Sequence, residues 1–378
     1  MLSSNELRGW GLGLIVVVLA SCSTSESPSS SSRATPVQRL EGAIEADLKA
    51  HPKIPGEAVS VRAPGLVVAA ARGDADVADR RPLRVDTPFR IASVTKTFVA
   101  AAVLRQVEDG KVSLDAPISK SLSPETLAQL TGGGYATEEI TVRQLLDHTS
   151  GIFDFAASDA YDTLNTDDPG RVWTAREQVD FAMTHGRPLA APGTKYHYGD
   201  TNYVLLGELL ERSAGKPLAT AVRESIGFDR IGLSRTWWER LEPAPIGLQD
   251  RAHQYYGTSF DNISLDPSSD LFGGGGLIST VGDLTLFYRA LFDGQIFSDE
   301  NTLKTMLTVA EPGRADGGAL GIFGTTIAGE KCWGHPGYWG TEAYYCPKSQ
   351  LAFALTTNQA NEADIDTTNV EQTILGLR

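Results

Sequence analysis

The chain has 378 residues, 41% hydrophobic and 21% charged, with 47 acidic against 33 basic side chains and a formal net charge of −14. That length and apolar content suffice for a large packed core and exclude collagen-like or wholly disordered architecture. The acidic balance, with no long Lys/Arg run, argues against a nucleic-acid partner, and no uninterrupted apolar run reaches the 18 residues expected of a membrane-spanning helix.

Residues 10–20 form a short apolar run of the length of a signal-peptide core. It ends Leu19-Ala20-Ser21-Cys22. This resembles a bacterial lipobox, in which small residues precede a cysteine that becomes acylated. The resemblance implies a signal peptide at 1–21, a lipid anchor at Cys22 and an extracytoplasmic place in the bacterial cell envelope. An ordinary secretory signal with an incidental cysteine, and hence a secreted protein, is the alternative. Residues 22–35 have the Ser-rich, apolar-poor composition of a flexible tether. The remainder, 36–378, reads as one functional domain.

Within it, apolar spacing predicts a helix over 37–50. Strands follow at 59–61 and 66–71, split by Pro64-Gly65. A short strand at 89–92 leads into an Ala-rich helix over 94–107, stopped at Gly110. Residues 111–270 are mixed and mainly helical, with helices at 142–146 and 203–212. A glycine run, 273–276, precedes a helix over 281–292. Residues 320–328, 331–334, 343–346 and 351–356 read as consecutive antiparallel strands, and 363–375 as a closing helix. Strands at both ends with helices between imply one sheet built from 36–92 and 273–378, beside a helical lobe over 111–270. A hairpin centred near Trp339 would bring Cys332 and Cys346 opposite each other. Such a bridge is worth about 3 kcal/mol in the chain-entropy view; two free buried thiols are the alternative.

Ser93-Val94-Thr95-Lys96 lies at a strand-to-helix junction. Positions i and i+3 share a helix face, so Lys96 can reach the Ser93 hydroxyl. Serine is a weak nucleophile until a neighbour takes its proton. A lysine does so only if its pKa falls, which burial favours. Spacing alone is weak: Ser213-Ala214-Gly215-Lys216 matches too, but Gly215 and Pro217 break that helix.

Two further elements follow in order: Tyr198-Gly199-Asp200 and His335-Pro336-Gly337. The set resembles the penicillin-recognising serine hydrolases, comprising class C β-lactamases, D-alanyl-D-alanine carboxypeptidases and related esterases, with their S-x-x-K, Y-x-N and K-T-G or H-x-G elements. The resemblance spans roughly 58–358. It implies an α+β fold, an α/β/α sandwich with a central antiparallel sheet plus an all-α lobe, of β-lactamase/transpeptidase type. It implies Ser93 as nucleophile, Lys96 as its proton acceptor and Tyr198 as the second acid/base. His335 would be the cation or donor of the third element, near a substrate carboxylate, with Gly337 beside it. The backbone N–H groups of Ser93 and Tyr338 would form the oxyanion hole. No metal or cofactor is required, and the substrate would be a small molecule or a peptidoglycan fragment.

Two departures stand out. Asp200 replaces the usual Asn; an ionised Asp cannot donate to a substrate carbonyl, and beside Lys96 it holds the ammonium charged. Pro336 removes a backbone donor from the third element. The first favours ester or other amide substrates over penicillins. A weakly catalytic envelope protein that binds peptidoglycan or a partner is the rival reading. Asp147, His148 and Ser150 contain the letters of a catalytic triad, but as neighbours on one loop they read as structural. The glycine run is not followed by Lys-Ser/Thr, so it reads as a tight turn rather than a phosphate loop.

Overall fold

The computed structural model describes residues 34–257, 260–313, 317–360 and 366–377. The signal, lipidation and most of the tether expectations fall on residues outside these. Among the described residues, no helix is long and apolar enough to cross a membrane.

Helix α1 (Pro36–Ala50) starts at a capping box, with Thr35 accepting from the Gln38 N–H and Gln38 returning the bond. Strands β1 (Gly56–Ala63), β2 (Leu66–Asp76), β3 (Arg81–Pro82) and β4 (Phe89–Arg90) follow, then helix α2 (Thr95–Glu108). Next come α3 (Pro124–Gly132), α4 (Val142–Leu146), α5 (Asp159–Asp167), α6 (Ala175–His185), α7 (Asp200–Ala214), α8 (Leu218–Ile226) and α9 (Phe228–Ile231). Short strands β5 (Trp237–Trp238), β6 (Tyr255–Tyr256), β7 (Phe260–Asp261) and β8 (Leu277–Ser279) precede α10 (Val281–Phe292) and α11 (Glu300–Met306). Strands β9 (Phe323–Ile327), β10 (Glu330–Gly337), β11 (Thr341–Cys346) and β12 (Leu351–Thr356) lead to α12 (Thr368–Leu375).

The main sheet is antiparallel, in the order β3-β2-β1-β12-β11-β10-β9. Its strands come only from the two stretches flanking the helical middle. Alternation along each strand decides which face meets which helices. Val59, Val61, Phe353 and Leu355 pack with Leu40 and Ile44 of α1 and Val370 and Ile374 of α12. The opposite face is lined by small residues, Ala58, Ala343, Ala352 and Ala354. Their small size lets α10 lie close, with Thr285 Oγ1 3.4 Å from Ser60 Oγ. Helix α2 is buried on nearly every side, as an apolar, Ala-rich helix must be. Its Phe98 stacks on Phe287 of α10 at 3.6 Å between ring centroids.

Three differences from the sequence reading matter. The strand expected at 89–92 stops at Arg90, because Ala92 takes φ +45° and opens a 3-10 turn instead. The stretch 111–270 is not purely helical: β5, β6 and β7 lie within it. The closing helix begins at Thr368 rather than 363. The β10–β11 hairpin pairs Trp333 with Tyr345 and Gly337 with Thr341, so it folds about Trp339. Cys332 and Cys346 are disulfide-bonded, Cα atoms 4.2 Å apart.

A pH-sensitive feature sits under α1 and α12. Asp47, Glu57, Glu342 and Glu371 are all buried or partly buried there. Burial first, then the neighbouring carboxyls, raises Glu57 well above its ordinary pKa and Glu342 to about 8. These groups fold as neutral acids that the unfolded chain would ionise. The folded state therefore holds more protons than the unfolded one above the ordinary carboxylate range. Their contribution is complete below about pH 4.5 and is lost as the pH climbs toward 8, at up to about 1.4 kcal/mol per pH unit per group. Tm should fall between pH 5 and pH 8, and Glu342→Gln should flatten that fall. Parallel curves for the two proteins would refute this.

Candidate active site

Ser93 sits in the 3-10 turn (Ala92–Val94) that joins β4 to α2. The positive φ of Ala92 is a strained conformation for a residue with a Cβ, of the kind that clusters at working sites. Lys96 follows in the first turn of α2, its side chain fully buried. Its ammonium has three N–H donors. One meets Ser93 Oγ at 2.8 Å and one the Gly274 carbonyl at 2.7 Å, and Asp200 Oδ1 stands 2.5 Å away as the counter-charge. Burial pulls the Lys96 pKa down, but Asp200, Tyr198 and Asp270 outweigh it and hold it above its ordinary value. These neighbours favour the ammonium form of Lys96, which donates to Ser93. This agrees with the expected effect of Asp200 and runs against that of burial alone.

Tyr198 stands just before the N-terminus of α7, its hydroxyl within hydrogen-bonding reach of both Ser93 and Lys96. Burial pushes the phenol up to about 12, against the pull of the Lys96 charge. His148 braces the ring from behind, 4.4 Å between centroids. Its Nδ1 accepts the Gly199 N–H at 3.2 Å, so the proton is on Nε2. Burial and then Lys96 keep it neutral. Asp154 holds the start of α7 by accepting the N–H groups of Asp200 (2.8 Å) and Thr201 (3.2 Å). The Asp147–Ser150 loop is thus structural, yet His148 on it positions Tyr198. Ser150 itself turns away, to Asn202 Oδ1 at 2.6 Å.

The third element closes the site from β10. A Cβ at Gly337 would stand 2.4 Å from the Ile91 carbonyl oxygen, so only glycine lets this strand end lie on the Ser93 turn. That contact sets the Tyr338 backbone beside the turn. Strand β9 ends at Phe323 opposite Gly334, so Pro336 lies on an edge and breaks no ladder there. The surroundings of His335 disfavour the expected cation. Burial and then Lys96 push its pKa to about 3. Its Nδ1 lies 2.6 Å from the Pro336 carbonyl oxygen, which can only accept, so Nδ1 carries the proton and Nε2 presents a bare lone pair. In this tautomer the neutral ring offers an acceptor at Nε2, where the resemblance implied a cation or donor.

Gly274 explains the glycine run. Its carbonyl receives Lys96, and a Cβ there would stand 3.1 Å from Asp200 Cγ and 3.2 Å from Asp270 Oδ1. Ser93, Lys96, Tyr198, Asp200, His335 and Gly337 are all drawn to one place. Asp154 and Asp270 escaped the sequence reading, since neither lies in a motif; the glycine run was read as a tight turn packed against the sheet or active site, without its carbonyl as the acceptor of Lys96.

A serine served by a lysine one helical turn on and a tyrosine from the helical lobe, on this sheet, defines a serine hydrolase of the S-x-x-K type. The β-lactamase family model matches residues 42–375, and the chain belongs to that family. It is 29% identical over 314 residues to Esterase EstB of Burkholderia gladioli, covering 77% of each chain. It is 26% identical over 337 residues to a putative D-alanyl-D-alanine carboxypeptidase of Escherichia coli O157:H7, covering 79% of this chain and 75% of the other. A D-stereospecific amidohydrolase from Streptomyces sp. superposes with a TM-score of 0.74 at 27% identity, covering 88% of this chain and 97% of the other.

Proposed function

We propose that the chain hydrolyses amide or ester bonds through an acyl-enzyme on Ser93. The observation that carries this is the 2.8 Å contact from Lys96 Nζ to Ser93 Oγ, with the Tyr198 hydroxyl at the same point. The relatives' names, an esterase, a carboxypeptidase and an amidohydrolase, agree with that bond class.

Ser93 Oγ attacks the carbonyl carbon, and the displaced electron pair becomes an oxyanion held by the Ser93 and Tyr338 N–H groups. The serine proton passes to the Tyr198 oxygen as Tyr198 gives its own proton to the leaving nitrogen or oxygen. A phenol near pKa 12 is a poor free base. In this relay it receives one proton as it releases another, so no free phenolate forms. The Lys96 ammonium stays protonated and stabilises negative charge on both oxygens. Water then attacks the acyl carbon, and the relay runs in the other direction. We also propose, on the sequence motif alone, that Cys22 carries a lipid and anchors the domain in the bacterial envelope.

The test is labelling with an alkyl fluorophosphonate, mass spectrometry of the digest, and an assay on short-chain p-nitrophenyl esters. The expected result is one adduct, on the peptide bearing Ser93, together with ester turnover. Neither adduct nor turnover would overturn the enzyme and leave the binding-protein reading in its place.

A further inference from the structure

A cavity separate from the Ser93 site lies in the helical lobe. Its volume is 350 Å³, within the range of small-molecule sites. Helices α3, α6 and α7 line it, together with Leu218, Leu241 and Phe272. None of Ser93, Lys96, Tyr198, Asp200 or His335 is in the lining. The chain just before the glycine run divides the two. A Cβ on Gly207 would stand 2.4 Å from the Phe272 carbonyl oxygen, and one on Gly273 2.3 Å from that of Tyr203, so this stretch lies directly on α7. Phe272 borders the cavity, and Gly274, two residues on, takes Lys96.

The cavity joins an apolar lining to uncompensated charge. Val179, Val204 and Leu218 are buried, whereas Leu241 is 44% exposed, so part of the apolar lining faces water. Val204, Gly207, Glu208 and Glu211 recur at helical steps and form one stripe of α7. Glu208 is held in place, taking the Ser123 N–H and the Thr126 hydroxyl, each at 2.6 Å. Glu211 takes the Leu218 N–H at 2.9 Å. Their carboxylate oxygens keep further lone pairs. Among the described residues, no ion pair involves Glu125, Glu208 or Glu211. Basic side chains close by in sequence are engaged elsewhere: Lys216 pairs with Glu224, and Arg212 donates to the Ser121 carbonyl. Arg176 is the one cation in the described lining, against those three carboxylates.

We propose that this cavity binds an amphipathic primary amine, with its apolar body on Val179, Val204, Leu218 and Leu241 and its ammonium on the Glu208–Glu211 stripe. Covering the apolar lining favours any apolar ligand. The unpaired carboxylates select its charge. An ammonium brings three N–H donors to acceptors already fixed by other bonds, so little ordering is needed on binding. A carboxylate of the same shape meets an excess of like charge and is rejected. Binding of this kind does not depend on Ser93.

The test is calorimetric titration of the whole chain at neutral pH with phenethylamine, phenethyl alcohol and hydrocinnamate, which share one aromatic body. The amine should saturate a single site per chain and bind about tenfold more tightly than the alcohol, with hydrocinnamate weakest. Glu208→Gln should reduce the advantage of the amine over the alcohol about fivefold; that ratio is the readout, so a general loss of affinity cancels. Ala175→Trp fills the cavity from a partly buried position at the start of α6 and should abolish binding of all three, with p-nitrophenyl acetate turnover unchanged. Should Glu208→Gln not fold, the wild-type order and Ala175→Trp still decide. No saturable binding, or equal affinity for amine and alcohol, overturns the proposal. Amine binding that survives in Ala175→Trp lies elsewhere and overturns it too. An advantage unchanged in Glu208→Gln overturns the role of that carboxylate. The hydrolase reading stands or falls separately, on turnover of p-nitrophenyl acetate.

Discussion

Ser93→Ala is expected to lower kcat/KM for every ester or amide substrate by about ten-thousandfold or more, and to abolish the fluorophosphonate adduct. The size follows from the chemistry. Without Oγ there is no atom to attack the carbonyl, and water must enter a site built around a tethered oxygen. The oxyanion donors are backbone N–H groups and survive the change, so a small residual rate above the uncatalysed one remains. Stability should hardly move. Alanine fits the turn, which already carries Ala92 next door, and Lys96 keeps the Gly274 carbonyl and Asp200. A melting temperature within a few degrees of wild type, together with the lost rate, separates chemistry from folding. Wild-type turnover by Ser93→Ala would remove the nucleophile from this account.

What the sequence showed of this site depended on whether the signal was local. Helix α10 was legible to the residue because Thr280 caps its start and Asp293-Gly294 stops it. The β10–β11 hairpin was legible because strand-like runs flank Trp339 symmetrically. Strands of two residues, such as β5 and β6, carry no alternation and left no trace. The left-handed turn at Ala92 was equally silent, since nothing in an alanine announces a positive φ.

Charge states were less legible than positions. Lys96 and Asp200 are 104 residues apart in the chain, and Gly274 is farther still. The expectation of a neutral lysine rested on burial, with Asp200 read as opposing it; Asp270 and the Gly274 carbonyl were not foreseen. Burial is complete, but the surrounding acceptors reverse its effect. His335 shows the opposite case: a cationic role was carried over from the motif, and deep burial without a carboxylate partner removes the charge. Asp270 ends a four-residue 3-10 turn (Pro267–Asp270), too short to show periodicity, and only the folded chain brings it near Lys96.

The Lys96–Asp200 pair allows the strongest separation of stability from catalysis. Lys96→Ala is expected to reduce kcat/KM by about ten-thousandfold and also to destabilise the fold by about 3–5 kcal/mol. The second effect arises because Asp200, 15% exposed at its side chain, loses its counter-charge with Asp154 and Asp270 still nearby. Asp200→Asn keeps the shape and removes one negative charge. The Lys96 pKa then falls, since burial loses its largest opponent, and the amide can donate to a substrate carbonyl as an ionised carboxylate cannot. This variant should gain acylation by a fluorescent penicillin at Ser93. The double variant, Lys96→Ala with Asp200→Asn, should recover most of the lost stability in urea unfolding and none of the activity. Coupled sites that act as an ion pair require that non-additivity. Additive stabilities across the four proteins would show that the 2.5 Å contact is not an energetic pair, and unchanged penicillin labelling of Asp200→Asn would show that the carboxylate is not what excludes that substrate.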